Sequence, residues 1–292
     1  MITRVTSVTM MQSASRNMQF AASALAKLQD QAATQKTITR PSDDPSAAAK
    51  AVAVRSEQKA TAQYVRNAQD GNEWLTTVDS TLANVTALLQ RANALTIQGA
   101  NDGALSSSAK EAIAVELDTI RDSLLSAANT EYGGRFVFAG NSAEPAFSDD
   151  FQYSGGQGTV ERRIGAGVTL RVDADGSAIF GEGDESVFAL LSTVAADLRS
   201  GVSVSAHLDT LSTRMAAVTN AQASNGARQA SLSDTEELLA ATTTQLEASR
   251  SSLEDIDLGE IVLELKMQET VYQAALAVTA RALQPTLMDF LS

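Results

Sequence analysis

The chain has 292 residues and a net charge of −13, from 22 Lys and Arg against 35 Asp and Glu. A surface this acidic repels phosphate backbones, and no basic stripe with interleaved aromatics reverses that, so nucleic acid is excluded as a partner. There is no cysteine, which removes disulfides and thiolate chemistry, and the 44% hydrophobic content includes only 4% aromatics. The apolar residues are therefore mostly Ala, Leu and Val, a composition suited to slender bundles whose helices approach closely.

Met1 to Arg16 are polar and rich in Ser and Thr, with no apolar run before a cleavage site. No apolar stretch reaches the roughly 18 residues a membrane span needs, so no membrane insertion is expected. The chain is expected to be either cytoplasmic or exported without a cleaved signal. The first segment repeats Met11, Met18, Leu25 and Ala32 at seven-residue steps, with Ala14, Ala21 and Leu28 between them. That heptad stripe predicts a coiled-coil seam. It ends at Thr39-Arg40-Pro41-Ser42-Asp43-Asp44-Pro45, where Ser42 or Asp44 can cap a new helix through the Ala run beyond Pro45.

A second stripe holds Leu75, Val78, Leu82, Val85, Leu89 and Ala92, with Trp74 beside it as a packing anchor, and stops near Gly99-Ala100-Asn101-Asp102-Gly103. Ser106 to Ser108 offer a cap for a third stripe of Ile113, Leu117, Ile120, Leu124 and Ala127. The short connection predicts a helical hairpin. From Gly133 to Gly183 glycine becomes dense and the periodicity falls towards two. Arg135 to Phe138, Thr159 to Ile164 and Val168 to Val172 are expected strands, and Asp175-Gly176 an expected hairpin turn before Ala178-Ile179-Phe180.

Helical signals return near Val187. Leu211, Val218, Asn225, Leu232, Leu239, Leu246 and Leu253 then follow at strict seven-residue steps, with Asn225 the polar residue that can fix register. Past Gly259 the pattern resumes with Ile261, Leu265, Tyr272, Leu276 and Leu283 and closes on Leu287, Met288, Phe290 and Leu291. The expected fold is mainly α, a long coiled-coil-like bundle formed by both chain ends with a small β-rich insert. Three divisions follow: 1–42 with 255–292, 43–140 with 187–254, and 141–186. Trp74, Leu75, Leu82, Leu89, Leu117, Leu124, Leu232, Leu239 and Leu246 form the expected bundle core. Met11, Met18, Leu25, Leu28, Ile261, Leu265, Tyr272, Leu276, Leu283, Leu287 and Phe290 form the expected assembly interface. Short isolated helices are marginal in water, so the two ends are expected to gain stability by packing on other subunits.

Chemistry is sparse. The single histidine, His207, cannot supply a multi-His metal site. No G-x-S-x-G elbow occurs. Gly155-Gly156-Gln157-Gly158 lacks the Lys-Ser/Thr pair of a phosphate loop, and Asp173-Ala174-Asp175-Gly176 lacks the later ligands of a calcium loop. Asp43-Asp44 suit helix capping better than acid–base work. No catalytic residue, cofactor or metal is expected, and the chain is not expected to be an enzyme.

Several segments resemble the flagellin-like axial proteins of the bacterial flagellum. They are Ile2-Thr3, Met10-Met11, Leu28-Gln29, Arg40 to Pro45, Asn67 with Trp74-Leu75, Asp79-Ser80 and Ala94 to Asn101. Ala128-Asn129-Thr130 with Gly134 to Gly140, then Gln268, Tyr272-Gln273-Ala274 and Leu287 to Leu291, complete the set. The Pro41 to Pro45 break, the Trp74-Leu75 pair and the Gly134 to Gly140 stretch are most similar to members at the hook–filament junction. Gln35-Lys36-Thr37 departs from the Gly-Lys-Arg common there. The resemblance implies a secreted structural protein of the extracellular flagellum at that junction, passed unfolded through the type III export apparatus. Its implied partners are itself in a ring or tube, the first junction protein, flagellin, the filament cap and an export chaperone on Leu276, Leu283 and Phe290. It further implies terminal helices that order only on assembly. A flagellin filament subunit and a cytoplasmic coiled-coil signalling or binding module are the alternatives.

Overall fold

The structure is a computed structural model, and it describes residues 2–101, 105–156 and 158–282. Helix α1 (Ile2–Thr34) is followed by α2 (Pro45–Ala100) and α3 (Ser107–Ala128). Two short antiparallel pairs come next: β1 (Glu131–Tyr132) with β2 (Arg135–Phe136), and β3 (Glu161–Gly165) with β4 (Val168–Arg171). Helices α4 (Gly176–Phe180), α5 (Val187–Ser200), α6 (His207–Glu254) and α7 (Leu258–Ala282) complete the order. The fold is mainly α, as expected. Among the described residues, no helix is long and apolar enough to cross a membrane.

The chain divides into two compact units, one of residues 1–60 and 243–292, the other of residues 61–242. In the second unit, α2 buries Trp74, Leu75, Val78, Leu82, Val85 and Leu89 on one stripe. They share a single core with Leu117 and Leu124 of α3, Leu191 and Leu198 of α5, and Leu211, Val218, Leu232 and Leu239 of α6. The same core takes in Phe138, Phe147, Val160, Val172, Ile179 and Phe180, so the glycine-rich insert packs on the helices through its own aromatics. Phe147 sits edge-on to Phe180 and Phe188, with centroids 5.7 and 5.1 Å apart, the spacing at which aromatic quadrupoles attract.

Local chemistry explains the element ends. The Ser106 side chain accepts from the Ala109 N–H and starts α3, and Gly201 ends α5 in the left-handed conformation (φ 76°) that glycine adopts without a steric penalty. The hairpin expected at Asp175-Gly176 is instead a helix start. The Asp175 carboxylate accepts from the N–H groups of Ser177 and Ala178, and the turn that follows drops Ile179 and Phe180 into the core. The expected strand at Arg135 to Phe138 pairs only over its first two residues, and the Val137 N–H reaches back to the Thr130 carbonyl.

Asn225 is buried on the α6 stripe and donates its Nδ2 to the Leu75 carbonyl of α2 at 3.0 Å. A polar residue of this kind fixes where one helix lies along another. Asn225→Ala is expected to lower unfolding free energy by about 1–2 kcal/mol in urea titrations, the worth of a lost buried hydrogen bond plus a small void. Asn225→Leu should stay within about 1.5 kcal/mol of the parent, because an apolar group of similar volume leaves no stranded donor.

Candidate assembly surface

In the unit made by the two chain ends, α1 and α7 pack antiparallel. Gln268 of α7 donates its side-chain amide to the Ala21 carbonyl of α1 at 3.1 Å. Lys36 and Asp255 form an antiparallel bridge, and the Thr37 N–H donates to the Glu254 carbonyl at 2.8 Å. Two chain breaks are thereby tied side by side, and helices distant in sequence leave them together.

Each break is built from side chains that satisfy free backbone groups. The Asp44 carboxylate accepts from the N–H groups of Ser46 and Ala47 (3.0 and 2.9 Å) at the start of α2, where Pro45 lacks a donor. Asp43 accepts from the Arg40 N–H and the Thr39 hydroxyl, folding Pro41 and Ser42 into a tight turn. Asp257 caps α7 through the Gly259 N–H at 2.7 Å. Glu254 is 3% exposed and paired with Arg55 at 2.6 Å, and Arg250 bridges Glu247 and Asp255.

These contacts predict that the unit loses stability in acid. The Arg40 N–H and Thr39 hydroxyl hold the Asp43 carboxyl below its ordinary value, the Arg250 guanidinium does so for Glu247, and the Ser251 hydroxyl and Arg250 do so for Asp255. A depressed folded-state pKa adds stability above the ordinary value and loses it as pH falls through the folded one. The thermal midpoint by circular dichroism is therefore expected to fall as pH drops below about 4, the ordinary carboxylate range. A variant carrying Asp43→Asn and Asp255→Asn should show a flatter fall over the same range.

Among the described residues expected to meet other subunits, most are partly covered within the chain. Ile261 is 2% exposed, Met18, Leu25, Leu28, Leu265 and Tyr272 are half-buried, and only Met11 and Leu276 are open. Leu283, Leu287 and Phe290 lie outside the described residues. A second apolar face, not singled out in the sequence, stands open on α7: Leu263 is 62% exposed, with Met267, Val271 and Val278 beside it. Their spacing of four, four and seven residues is the signal that could have revealed it. On α1, Met10 is open and Phe20 is 71% exposed. In the other unit Trp74, Leu75, Leu82, Leu89, Leu117, Leu124, Leu232 and Leu239 are buried, as is Leu246 in the unit of the chain ends.

The imidazole of His207, at the start of α6, lies 2.7 Å from the carboxylate of Asp197 on α5. Among the described residues, no group of three His, Cys, Asp or Glu could hold a metal ion. Among the described residues, α1 and α7 both leave large apolar side chains exposed.

Residues 5–143 match the bacterial flagellin N-terminal helical region, and residues 208–291 match the bacterial flagellin C-terminal helical region. The chain belongs to the bacterial flagellin family; it is a structural protein, not an enzyme. Within that family it is similar to flagellar hook-associated protein 3 of Salmonella typhimurium, 27% identical over 85% of this chain and 87% of the relative. It is also similar to flagellin of Bacillus subtilis, 24% identical over 85% of each. A solved structure of a proposed flagellar hook-associated protein from Vibrio parahaemolyticus shares the fold, with a TM-score of 0.68 at 23% identity over 73% of this chain and 100% of that one.

Proposed function

We propose that this chain forms the junction between hook and filament of a bacterial flagellum. The observation that carries the proposal is the antiparallel pair of α1 and α7, built from opposite ends of the chain, with Phe20 and Leu263 left open on its two helices. Large apolar side chains exposed in a series mark a surface meant to be covered. Similarity to hook-associated protein 3 over most of both chains supports the junction rather than the filament as the place where that happens.

In this reading residues 1–42 and 255–292 make the inner tube, residues 43–140 and 187–254 the wall around it, and residues 141–186 the outer face. Copies stack by heterologous contacts. The first junction protein adjoins on one side, and flagellin or the filament cap on the other. The type III apparatus exports the chain, which an export chaperone escorts by its last helix.

The test is electron microscopy of intact flagella labelled with antibody against residues 140–183. A single short band where hook meets filament is the expected result. Label along the whole filament would make the chain a flagellin, and unlabelled flagella would remove it from the organelle.

A further inference from the structure

A groove opens in the unit of the chain ends, where the chain turns from α1 into α2. It measures about 560 Å³, and Ile38, Pro41, Ala51 and Val52 form its apolar lining. Val52 is 66% exposed, far from the burial expected of a valine with a settled neighbour. Lys36, Arg40 and Arg55 also line it. Arg55 is held by Glu254 and Lys36 lies within electrostatic reach of Asp255, while no ion pair engages Arg40 among the described residues. The Glu254 Oε1 is buried and accepts no hydrogen bond, leaving an acceptor in the groove wall. An apolar groove rimmed by Lys36 and Arg40 stands out on a chain of net charge −13.

Its complement is on the same chain. Leu263, Met267 and Val271 are exposed on α7, and Glu260 and Glu264 are exposed beside them. At 100° per residue these five positions fall within about 100° of the helix surface. Lys266 is engaged by Glu269 at 2.8 Å, and no ion pair engages Glu260 or Glu264 among the described residues. Groove and face are both open within one chain, so neither fills the other there.

We propose that the groove of one copy receives the outer face of α7 from a second copy. Leu263 and Met267 enter against Val52 and Ile38, and Glu260 and Glu264 meet Lys36 and Arg40. Groove and face are different patches, so the contact is heterologous and runs from copy to copy instead of closing as a twofold pair. Opposite charge sets the register, and apolar burial supplies most of the attraction. The inference rests on the reading of this chain as an assembling flagellar protein.

The chain has no cysteine, so introduced ones report alone. A Val52→Cys, Met267→Cys double variant is produced in cells, and isolated flagella are treated with a short bis-maleimide. Leu263→Cys replaces Met267→Cys if the first pair does not assemble. The expected result is a ladder of dimers, trimers and larger products on a denaturing gel, absent from each single variant. Arg40→Glu should weaken the ladder about fivefold or more, and adding Glu264→Arg should restore it. Chain present in flagella without a ladder overturns the docking alone. A product joining a single variant to a different flagellar protein overturns the second copy as occupant. Flagella that lack the chain on an immunoblot, before any cross-linking, remove the flagellar reading and the docking with it.

Discussion

Trp74→Ala is expected to lower the unfolding free energy by about 3–5 kcal/mol, the range for emptying a buried aromatic site. For a unit the size of residues 61–242 that corresponds to a fall in thermal midpoint of roughly 10 °C. Trp74 is 1% exposed, and its ring meets Tyr132 edge-on at 5.5 Å with the Arg162 guanidinium 5.5 Å from its centre. Both neighbours are themselves tethered. The Tyr132 hydroxyl donates to Glu73 at 2.6 Å, which pushes the phenol up to about 12, and Arg162 pairs with Asp70. Removing the indole thus empties a site whose walls are fixed on α2 and on the insert, so little collapse can offset the loss. Trp74→Phe separates ring from polar atom. The indole N–H is buried without an acceptor, so phenylalanine sheds an unsatisfied donor while keeping an aromatic face. Its expected loss is under about 2 kcal/mol. A loss as large as that of alanine would mean the N–H is satisfied.

The helical architecture was legible because its signals are long. Leu211, Val218, Asn225, Leu232, Leu239 and Leu246 recur over five intervals, and all six are buried. A stripe that persists this far along one helix can only face a core or a partner. The insert was less legible because its signals are short and ambiguous. Asp-Gly favours a hairpin turn, but Asp is equally a helix cap. The choice at Asp175 is made by burial of Ile179 and Phe180, which depends on Phe138 and Phe147 far away in the chain. The open groove was illegible for the same reason. Lys36, Val52 and Glu254 meet only after two chain breaks have been tied together.

On α7 the sequence presents two apolar faces, and the strongest repeat marks the one that is more covered within the chain. Ile261, Leu265 and Tyr272 face the pair with α1, whereas Leu263, Met267 and Val271 remain exposed. A helix apolar on two sides is served on one side by its own chain and still needs a neighbour on the other.

Two substitutions, two residues apart, separate these roles. Ile261→Asp would bury an unpaired carboxylate between α7 and α1, a change expected to cost several kcal/mol and to undo the pair. Most helical stability in a protein comes from packing of an apolar face, so the isolated chain should lose helical signal in circular dichroism. The fluorescence of its one tryptophan, in the other unit, should stay unchanged. Leu263→Asp adds a charge in open solvent and should leave both signals within error, with stability shifted by less than about 0.5 kcal/mol. Neither variant should support swimming, since one lacks the pair and the other lacks the face proposed to join copies. Should Ile261→Asp change nothing in the isolated chain yet still abolish motility, α1 and α7 order only within the assembly. Should Leu263→Asp cells swim normally, the outer face of α7 joins nothing, and the apolar surface that matters lies on α1 around Phe20.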